Sequence, residues 1–346
     1  MAFSSSSSSS TTAPLTTVDH GGGIGISAVH PDIIQTHILT RLDGPTLAST
    51  ACASSHLHEL STEEKLWRDI CASTWPSIDH PRVRQVISSF PAGHRSFFSD
   101  SFPAIHHSSP PKDTDRSSLP SELISAVDVH YENELIFSKV QETRTETETA
   151  GWFLCTPFRV ELIDRKESVW TPIRPVGEDK AWLKHLEENL KLSWIIIDPT
   201  QKRAVNVSSG RPVSVQRHWF TGDMQLRYAT IMASDKSDFV QCAVVVTCGG
   251  KVGGEIELRE VSMLLEDMEG KHVKGRESLV ILNAAMESGK RKKERRGEGK
   301  ERFEAYLEMK KVRSERKQRR ERAVDMAFML TGITIFVAFC SFLCFR

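Results

Sequence analysis

Apolar positions recur at helical spacing in the N-terminal part of the chain. Pro31 suits the first turn of a helix, and a one-faced apolar stripe follows it, made up of Ile33, Ile34, Ile38, Leu39 and Leu42. Asp43-Gly44-Pro45 is expected to end this helix, because proline cannot continue the hydrogen-bond ladder. Leu47 begins a second stripe, and Ser61 with Glu64 forms a capping-box pattern ahead of Leu66 and Trp67. The pattern predicts a small helical domain at residues 26–75, followed by a connecting segment and linker at 76–120.

From residue 121 onward the apolar pattern changes to short runs separated by polar turns, which is typical of strands. Nine runs are predicted as strands: 126–131, 134–140, 151–156, 159–163, 193–198, 204–207, 225–233, 239–247 and 254–266. One helix is predicted between them, at 178–192. This number of short strands favours a sandwich or barrel-like β domain at 121–287. The predicted fold class is therefore α+β, with a helical domain followed by a β-sandwich-like domain.

The C-terminal part of the chain carries an uncharged apolar run from Met326 to Phe345, bounded by Asp325 and Arg346. A helix of this length is about 30 Å long, which matches the hydrocarbon core of a bilayer. We therefore expect a transmembrane helix at 325–346. We expect a tail-anchored topology with the rest of the chain on the cytosolic side, because the flank that precedes the run is basic.

A charged segment precedes the apolar run. The chain contains 45 Lys and Arg against 45 Asp and Glu, yet residues 290–322 hold 16 basic and 7 acidic side chains, a net charge of +9. The overall neutrality argues against a uniformly basic nucleic-acid binder, and no nucleic acid is expected as a partner. The run KRKKERR at 290–296 also fits a loose nuclear-import or nucleic-acid pattern. We favour a partly helical juxtamembrane stalk at 288–324, whose cations would attract anionic lipid.

The N-terminal residues and the cysteines limit the kinds of targeting segment and of cysteine-based scaffold that the chain could have. Residues 1–25 are rich in serine and threonine and poor in apolar side chains, which predicts a disordered tail, with a plastid transit peptide as the alternative. Seven cysteines without paired CxxC spacing argue against a disulfide scaffold or a zinc ribbon.

Known catalytic motifs are incomplete. The glycine-rich stretches at 21–25 and 249–254 lack the spacing of a phosphate-binding loop. His58-Glu59 begins a zinc-protease motif, but Thr62 stands where the second zinc-binding histidine would be needed. We therefore predict no catalytic residues, no metal site and no cofactor.

The helical region resembles a known protein family. The sequence reads P-x-I-I-x-x-x-I-L-x-R-L-D-x-x-x-L from Pro31, then C-A-S-S-x-L-x-x-L, then L-W-R-x-x-C. This order of motifs is similar to the F-box of ubiquitin-ligase adaptors. The chain departs from the family pattern at His30 and at Ser55-His56. The remainder resembles, less specifically, the second domain of a group of plant F-box proteins, in the segments SWIIIDPTQKRAVNVSSGRPVSVQRHW and VQCAVVVTCGG.

The resemblance implies a binding partner. It implies that the F-box docks on a Skp1-like protein, which links the chain to cullin and a ubiquitin-conjugating enzyme. The positions that the resemblance assigns to Skp1 binding are Pro31, Ile33, Ile34, Ile38, Leu39, Leu42, Leu47 and Trp67. Leu66 and Trp67 are also expected to close the core of the module itself. Periodicity alone leaves open that the whole stripe is ordinary domain core.

The leading functional hypothesis is therefore a non-catalytic substrate adaptor on a membrane surface. Its candidate target-binding residues are Arg211, Arg217, His218 and Trp219, which lie in a turn-rich region. The alternative is a membrane-anchored carbohydrate- or peptide-binding module without a ligase role. For a sugar site, the aromatic candidates are Trp152, Phe153, Trp170, Trp182, Trp194, Trp219 and Phe220, although most such residues form core. A hydrolase is a third possibility that no motif supports.

Overall fold

A computed structural model describes the chain at 29–102, 104–107, 119–145, 150–164, 166–175, 179–234, 238–250, 254–292 and 295–346. The tail expected at 1–25 lies outside these residues. The chain divides into two compact units, Met1–Glu63 and Glu64–Arg346. An N-terminal helical region, a strand-rich domain and a long C-terminal helix with an apolar end make the fold α+β, as predicted.

The first unit consists of short helical segments. Helix α1, Pro31–Ile33, continues into a π-helical turn at Ile34–Ile38 and a 3-10 turn at Leu39–Arg41. Helices α2 and α3 follow at Gly44–Ala51 and Ser55–Ser61. The Asp-Gly-Pro turn ends the first segment and also begins α2, because the Asp43 carboxylate accepts a 3.0 Å hydrogen bond from the Thr46 amide.

The predicted capping box is wrong. Ser61 is the last residue of α3, and the next helix, α4, begins at Glu64 and ends at Thr74. The Glu64 carboxylate instead accepts a 3.2 Å hydrogen bond from the backbone amide of His94. The acidic side chain at the start of α4 therefore joins two parts of the second unit.

Helices continue beyond α4 into the segment that the sequence indicates as a linker. Helix α5 spans Pro81–Ser88 and α6 spans Gly93–Ser101. Their aromatic side chains pack with those of α4, since the Trp67 and Phe98 ring centroids are 5.2 Å apart and those of Trp75 and Phe97 are 5.7 Å apart. The aromatic half of the connecting segment thus packs with α4. We name residues 64–102, which contain α4, α5 and α6, the helical subdomain. Residues 108–118 lie outside the described chain.

The strands, in chain order, are β1 Ala104–His107, β2 Glu122–Tyr131, β3 Glu134–Arg144, β4 Arg159–Glu161, β5 Val169–Trp170, β6 Leu190–Asp198, β7 Arg203–Asn206, β8 Ser214–Arg217, β9 Met224–Ser234, β10 Asp238–Gly249, β11 Glu257–Asp267 and β12 Lys290–Lys292. The later helices are α7 Ala150–Cys155, α8 Asp179–Asn189, α9 Gly275–Ser288 and α10 Glu298–Cys344. The predicted helix at 178–192 corresponds to α8.

Two antiparallel sheets build the β domain. One has the strand order β3-β2-β6-β7, and the other has β4-β11-β10-β9-β8 with β5 also paired to β11. Alternating residues of both sheets, such as Val127 and Trp194 from one and Leu226 and Val244 from the other, join a single buried cluster. Strands β1 and β12 form a separate antiparallel pair.

One predicted strand is wrong. Residues 151–156 were expected to be extended, but Ala150–Cys155 forms helix α7. A short apolar run carries no periodicity that separates a strand from a buried helix, so the sequence does not decide between them. The tertiary contact decides: α7 packs on α9, where the Gly275 amide donates a 2.9 Å hydrogen bond to the Thr156 carbonyl. A side chain at Gly275 would clash with the carbonyl of Phe153.

Helix α10 contains most of the expected stalk, from Glu298 onward, and the apolar run in one element of 47 residues, about 70 Å long. Its first part is attached to the β domain. Phe303 and Tyr306 are buried, and the Tyr306 hydroxyl donates a 3.2 Å hydrogen bond to the Asp267 carbonyl. Further along, Arg313 pairs with Asp238 at 2.9 Å, and Lys317 lies 3.4 Å from Glu269.

The basic run at 290–296 is partly structural. Residues Lys290–Lys292, expected in a solvated stalk, form strand β12. The Arg291 guanidinium lies 3.3 Å from the buried Asp100 carboxylate, and Arg203 pairs with the same carboxylate at 2.9 Å. Burial lowers the pKa of Arg291, and the Asp100 charge opposes that shift. This ion cluster connects α6, β7 and β12.

A second buried carboxylate connects the helical subdomain to the sheet. Asp128 of β2 is fully buried and accepts hydrogen bonds from the Ser77 amide at 2.9 Å, the Ser77 hydroxyl at 2.6 Å and the Ser138 hydroxyl at 2.7 Å. Burial raises the pKa of Asp128, and these three donors partly oppose the shift.

Replacing Asp128 with alanine should destabilise the protein by about 3 kcal/mol, because it leaves buried donors of Ser77 and Ser138 without an acceptor. Asp128→Asn should cost less, since the amide oxygen still accepts a hydrogen bond. Urea unfolding of the full-length protein in detergent micelles measures both free energies.

Because the folded pKa of Asp128 is raised above 3.8, its contribution to the unfolding free energy is complete below pH 3.8 and decreases as the pH rises through the folded pKa. Wild type should therefore lose stability relative to Asp128→Asn between acidic and neutral pH, and a constant difference would contradict this account.

Candidate functional site

The eight residues expected to bind a partner divide into two groups of four. Pro31 is exposed, Ile33 and Ile38 are 50% and 38% exposed, and Leu42 is half-buried. The other four are buried: Ile34, Leu39, Leu47 and Trp67. We name the first group, Pro31, Ile33, Ile38 and Leu42, the apolar ridge. The structure thus leaves about half of the expected contact surface available to another protein.

The π-helical turn explains this division. Its backbone bonds join residues five apart, and the Leu39 amide donates to the Ile34 carbonyl. Residues at this separation therefore share a side, which places Ile34 and Leu39 inward and leaves Ile33 and Ile38 outward. The regular helix expected from the sequence would have merged the four isoleucine and leucine side chains into a single stripe.

Trp67 belongs to the interior of the second unit. It is 2% exposed, and its ring packs at a tilt of 54° against Phe98. A tryptophan in this position contributes mainly to stability. Leu66 and Trp67 are both buried, as expected, but the Trp67 ring packs against Phe98, which lies outside the helical domain predicted at 26–75.

The four candidate target-binding residues do not converge on one site. Arg211 precedes β8, whereas Arg217, His218 and Trp219 lie at its other end. At about 3.3 Å per residue, β8 is roughly 13 Å long, and Arg211 lies three residues before its first residue. Arg211 lines a separate groove of about 710 Å³ together with Trp75 of the helical subdomain and Lys300 of α10.

The turn between β8 and β9, which we name the aromatic tip (residues 218–223), presents two large rings to solvent. Trp219 is 89% exposed and Phe220 is 78% exposed, and their centroids are 5.6 Å apart. The backbone beneath them is well held, because the His218 amide donates to the Asp223 carbonyl at 2.7 Å and Gly222 adopts φ +71° in the turn. Arg217 pairs with Asp179 of α8, and the Arg217 guanidinium keeps the pKa of that carboxyl below its usual value. Phe220, which we did not include among the target-binding candidates, belongs to this surface.

The remaining aromatic residues do not complete a sugar platform. Trp182 and Trp194 are buried and Phe153 is half-buried, while the side chain of Trp152 lies outside the described set. Trp170 is 67% exposed at the same end of the six-stranded sheet as Trp219. The order β5-β11-β10-β9-β8 separates those two rings by four strand spacings, roughly 19 Å.

Chemically reactive groups are not gathered into a site in the part of the chain that the structure describes. No three His, Cys, Asp or Glu side chains there lie close enough to hold a metal ion. Burial raises the pKa of the Cys71 and Cys242 thiols well above the usual value, so neither is a thiolate at neutral pH.

Helix α10 is long and apolar enough to cross a membrane by length and composition. The side chains of its apolar run are exposed, including Phe328, Ile335 and Phe342. A row of exposed apolar side chains of this length is costly in water and stable in lipid.

Comparison with known proteins gives a consistent picture. The chain is 50% identical over 344 residues to F-box protein At2g27310 of Arabidopsis thaliana, covering 96% of this chain and 100% of that protein. It is 46% identical over 320 residues to Probable F-box protein At2g36090 of the same plant, covering 91% and 93%. It is 43% identical over 342 residues to F-box protein At3g44326, also of Arabidopsis, covering 94% and 90%. No family model matches the chain. No solved structure matches it.

Proposed function

The chain belongs to the F-box proteins of plants, and we propose that it is the substrate-recognition adaptor of an SCF-type ubiquitin ligase on a membrane surface. The observation that carries this proposal is the apolar ridge, which exposes aliphatic side chains on the segment whose sequence resembles an F-box. The adaptor itself performs no bond chemistry. Its contribution is proximity: holding a target lysine near the charged conjugating enzyme makes their encounter effectively intramolecular.

In this proposal the ridge binds a Skp1-like protein, which in turn binds cullin. Pro31, Ile33, Ile38 and Leu42 are the contact residues, since they reach solvent. Ile34, Leu39 and Leu47 support the ridge from the interior of the first unit, because a partner cannot reach buried side chains without unfolding them. Trp67, which is buried in the second unit, is not assigned to the contact surface. Aliphatic anchors presented on a helical segment suit a groove on another protein.

The double substitution Ile33→Asp with Ile38→Asp should abolish co-purification of Skp1, because two charges would replace the apolar side chains that enter the partner groove. Stability should change little, since both residues are substantially exposed. Co-purification with tagged Skp1 from mild detergent measures the loss.

The matched control is Leu135→Asp with Trp170→Asp, which places the same charges on exposed apolar residues of the β domain. The control should retain Skp1. Retention of Skp1 by the Ile33/Ile38 variant would refute the ridge as the contact surface.

The apolar run of α10 is proposed to hold the adaptor in a bilayer through residues 326–345, with the β domain on the cytosolic side. The described basic side chains just before the run are Arg316, Lys317, Arg319, Arg320 and Arg322. Each such cation near an anionic leaflet adds about 1 kcal/mol of attraction.

Replacing Ile333 and Phe336 together by arginine should release the protein from membranes, because each charge at the middle of a span costs about 2.5–3.5 kcal/mol. Val324→Arg, just before the span, is the control and should remain bound. Sedimentation of membranes after carbonate extraction separates bound from released protein. An unchanged membrane fraction for the double variant would exclude the span.

The aromatic tip is proposed as a contact for the target protein. Two exposed rings on a rigid turn provide a large apolar contact with little loss of side-chain entropy on binding. Arg217 and His218 support the tip through the pair with Asp179 and the contact with Thr221.

Trp219→Ser with Phe220→Ser should leave the unfolding temperature unchanged and should reduce the recovery of ubiquitinated proteins that wild type enriches, while Skp1 still co-purifies. Quantitative mass spectrometry of paired purifications measures this difference. Identical sets of enriched proteins would show that the tip does not contact the target.

A further inference from the structure

The groove that Arg211 lines lies between several elements of the second unit. Its apolar floor contains Trp75 and Phe102 of the helical subdomain, Leu192 of β6 and Pro212. Its volume, about 710 Å³, is within the usual range for binding sites, about 300–1,000 Å³. The groove is open at the surface, which suits a chain segment.

Positive charge dominates the rim of this groove. Among the residues that the structure describes there, five cationic side chains, Lys191, Arg211, Arg295, Arg296 and Lys300, stand against the carboxylates of Glu187 and Glu188. His130 also lines the groove, and burial lowers its pKa, with Lys191 adding to that shift and Asp128 opposing it. The imidazole is therefore mainly neutral near pH 7, and the charge of the groove comes from the lysine and arginine residues.

Two of these cations are already neutralised. Lys300 pairs with Glu187 at 2.5 Å, and Arg295 lies 3.8 Å from Glu298. The pKa of Glu298 is lowered to about 2, chiefly by the hydrogen bond from the Arg295 amide, so it remains a carboxylate. The Lys300–Glu187 pair holds the first turn of α10 beside α8, where both residues line the groove.

Three cations keep their charge unpaired by a carboxylate. Arg211 donates to the backbone carbonyl of Glu188 at 3.0 Å, which orients the guanidinium and leaves its charge available. Lys191 donates to the neutral amide oxygen of Asn133 at 2.7 Å. Arg296 is exposed and has no partner within the described chain. Glu188 is the one carboxylate of the groove wall that opposes them without a salt-bridge partner among the described residues.

We infer that this groove binds an acidic segment of the target protein, with carboxylates or phosphates at the Lys191, Arg211 and Arg296 side chains and an apolar side chain over the Trp75 and Phe102 floor. The inference rests on the proposed adaptor function and names the class of target that it selects. A segment of acidic residues with one apolar residue among them matches both the rim and the floor. Charge complementarity of this kind gives selectivity and fast association.

The probe for a direct test is a fluorescein-labelled peptide of eight residues, seven Glu or Asp and one Phe, added to full-length protein in nanodiscs of phosphatidylcholine. Fluorescence anisotropy should show binding that weakens as salt rises from 50 to 300 mM. The same peptide with Gln and Asn in place of the acids should bind at least tenfold more weakly.

The triple variant Lys191→Gln, Arg211→Gln and Arg296→Gln should lose at least tenfold in peptide affinity. The matched control, Lys166→Gln, Lys180→Gln and Lys184→Gln, removes the same charge from exposed lysines elsewhere on the β domain and should stay within twofold of wild type. Thermal unfolding of both variants checks that the fold is retained.

Equal losses in the two triple variants, or equal binding of the acidic and neutral peptides, would overturn the inference. Tighter binding of an oligonucleotide of the same charge, lost in the groove variant, would also overturn it and assign the groove to nucleic acid. Skp1 co-purification from the same preparations separates the two levels. Skp1 bound without peptide binding refutes the groove alone, whereas absence of Skp1 from wild type refutes the adaptor function.

Discussion

Two buried carboxylates join the helical subdomain α4–α6 to the β domain, and they fix where β2, β7 and β12 lie against it. Asp100 binds Arg203 and Arg291, and Asp128 accepts three hydrogen bonds from Ser77 and Ser138. Removing such charges from water is expensive, and only well-matched donors compensate for it. Asp100 and Asp128 both have such donors, which fit only one arrangement of the elements that they join. An apolar interface in the same place would tolerate sliding, whereas fixed donors and acceptors do not.

The contact at Asp100 also explains why part of the basic segment at 290–296 is bound to the rest of the fold. Arg291 was available to sequence reasoning only as one of many cations in a charged run, but its guanidinium lies against Asp100 and the carbonyl of Met286. Strand β12 then leads the chain into α10, whose Phe303 and Tyr306 are buried. The basic block thus has two parts with different physical roles: a buried one that completes the fold, and an exposed one that precedes the apolar run.

The sequence predicts what depends on local pattern. Short apolar runs bounded by polar turns locate β2, β6, β9 and β10 to within a few residues, and uncharged length alone identifies the apolar end of α10. It does not predict what depends on contacts between distant residues. Helix α7 is stabilised by packing on α9, which is distant in the sequence. The division of the expected contact residues into exposed and buried ones depends on a π-helical turn, whose hydrogen bonds join residues five apart and are not revealed by the apolar periodicity. The separation of Arg211 from Trp219 follows from the direction of β8, and the groove around Arg211 needs Lys191 and Arg296, which are 20 and 85 positions away in the chain.

Because α10 is one uninterrupted helix, it converts sequence distance into height above a bilayer. Arg313 stands level with Asp238, and the 13 residues from there to Met326 correspond to roughly 20 Å of helix. Strand β9 runs from Asp238's end of the sheet away toward the aromatic tip, adding roughly 33 Å. The helix therefore fixes the distance of the aromatic tip from the membrane. With the apolar run embedded in lipid, the tip would lie roughly 50 Å from the boundary of the hydrocarbon core. A membrane protein whose cytosolic part extends less than this distance from the bilayer would not reach the tip. The height of a neighbouring protein's cytosolic part, as well as its surface chemistry, would therefore decide whether the tip can contact it.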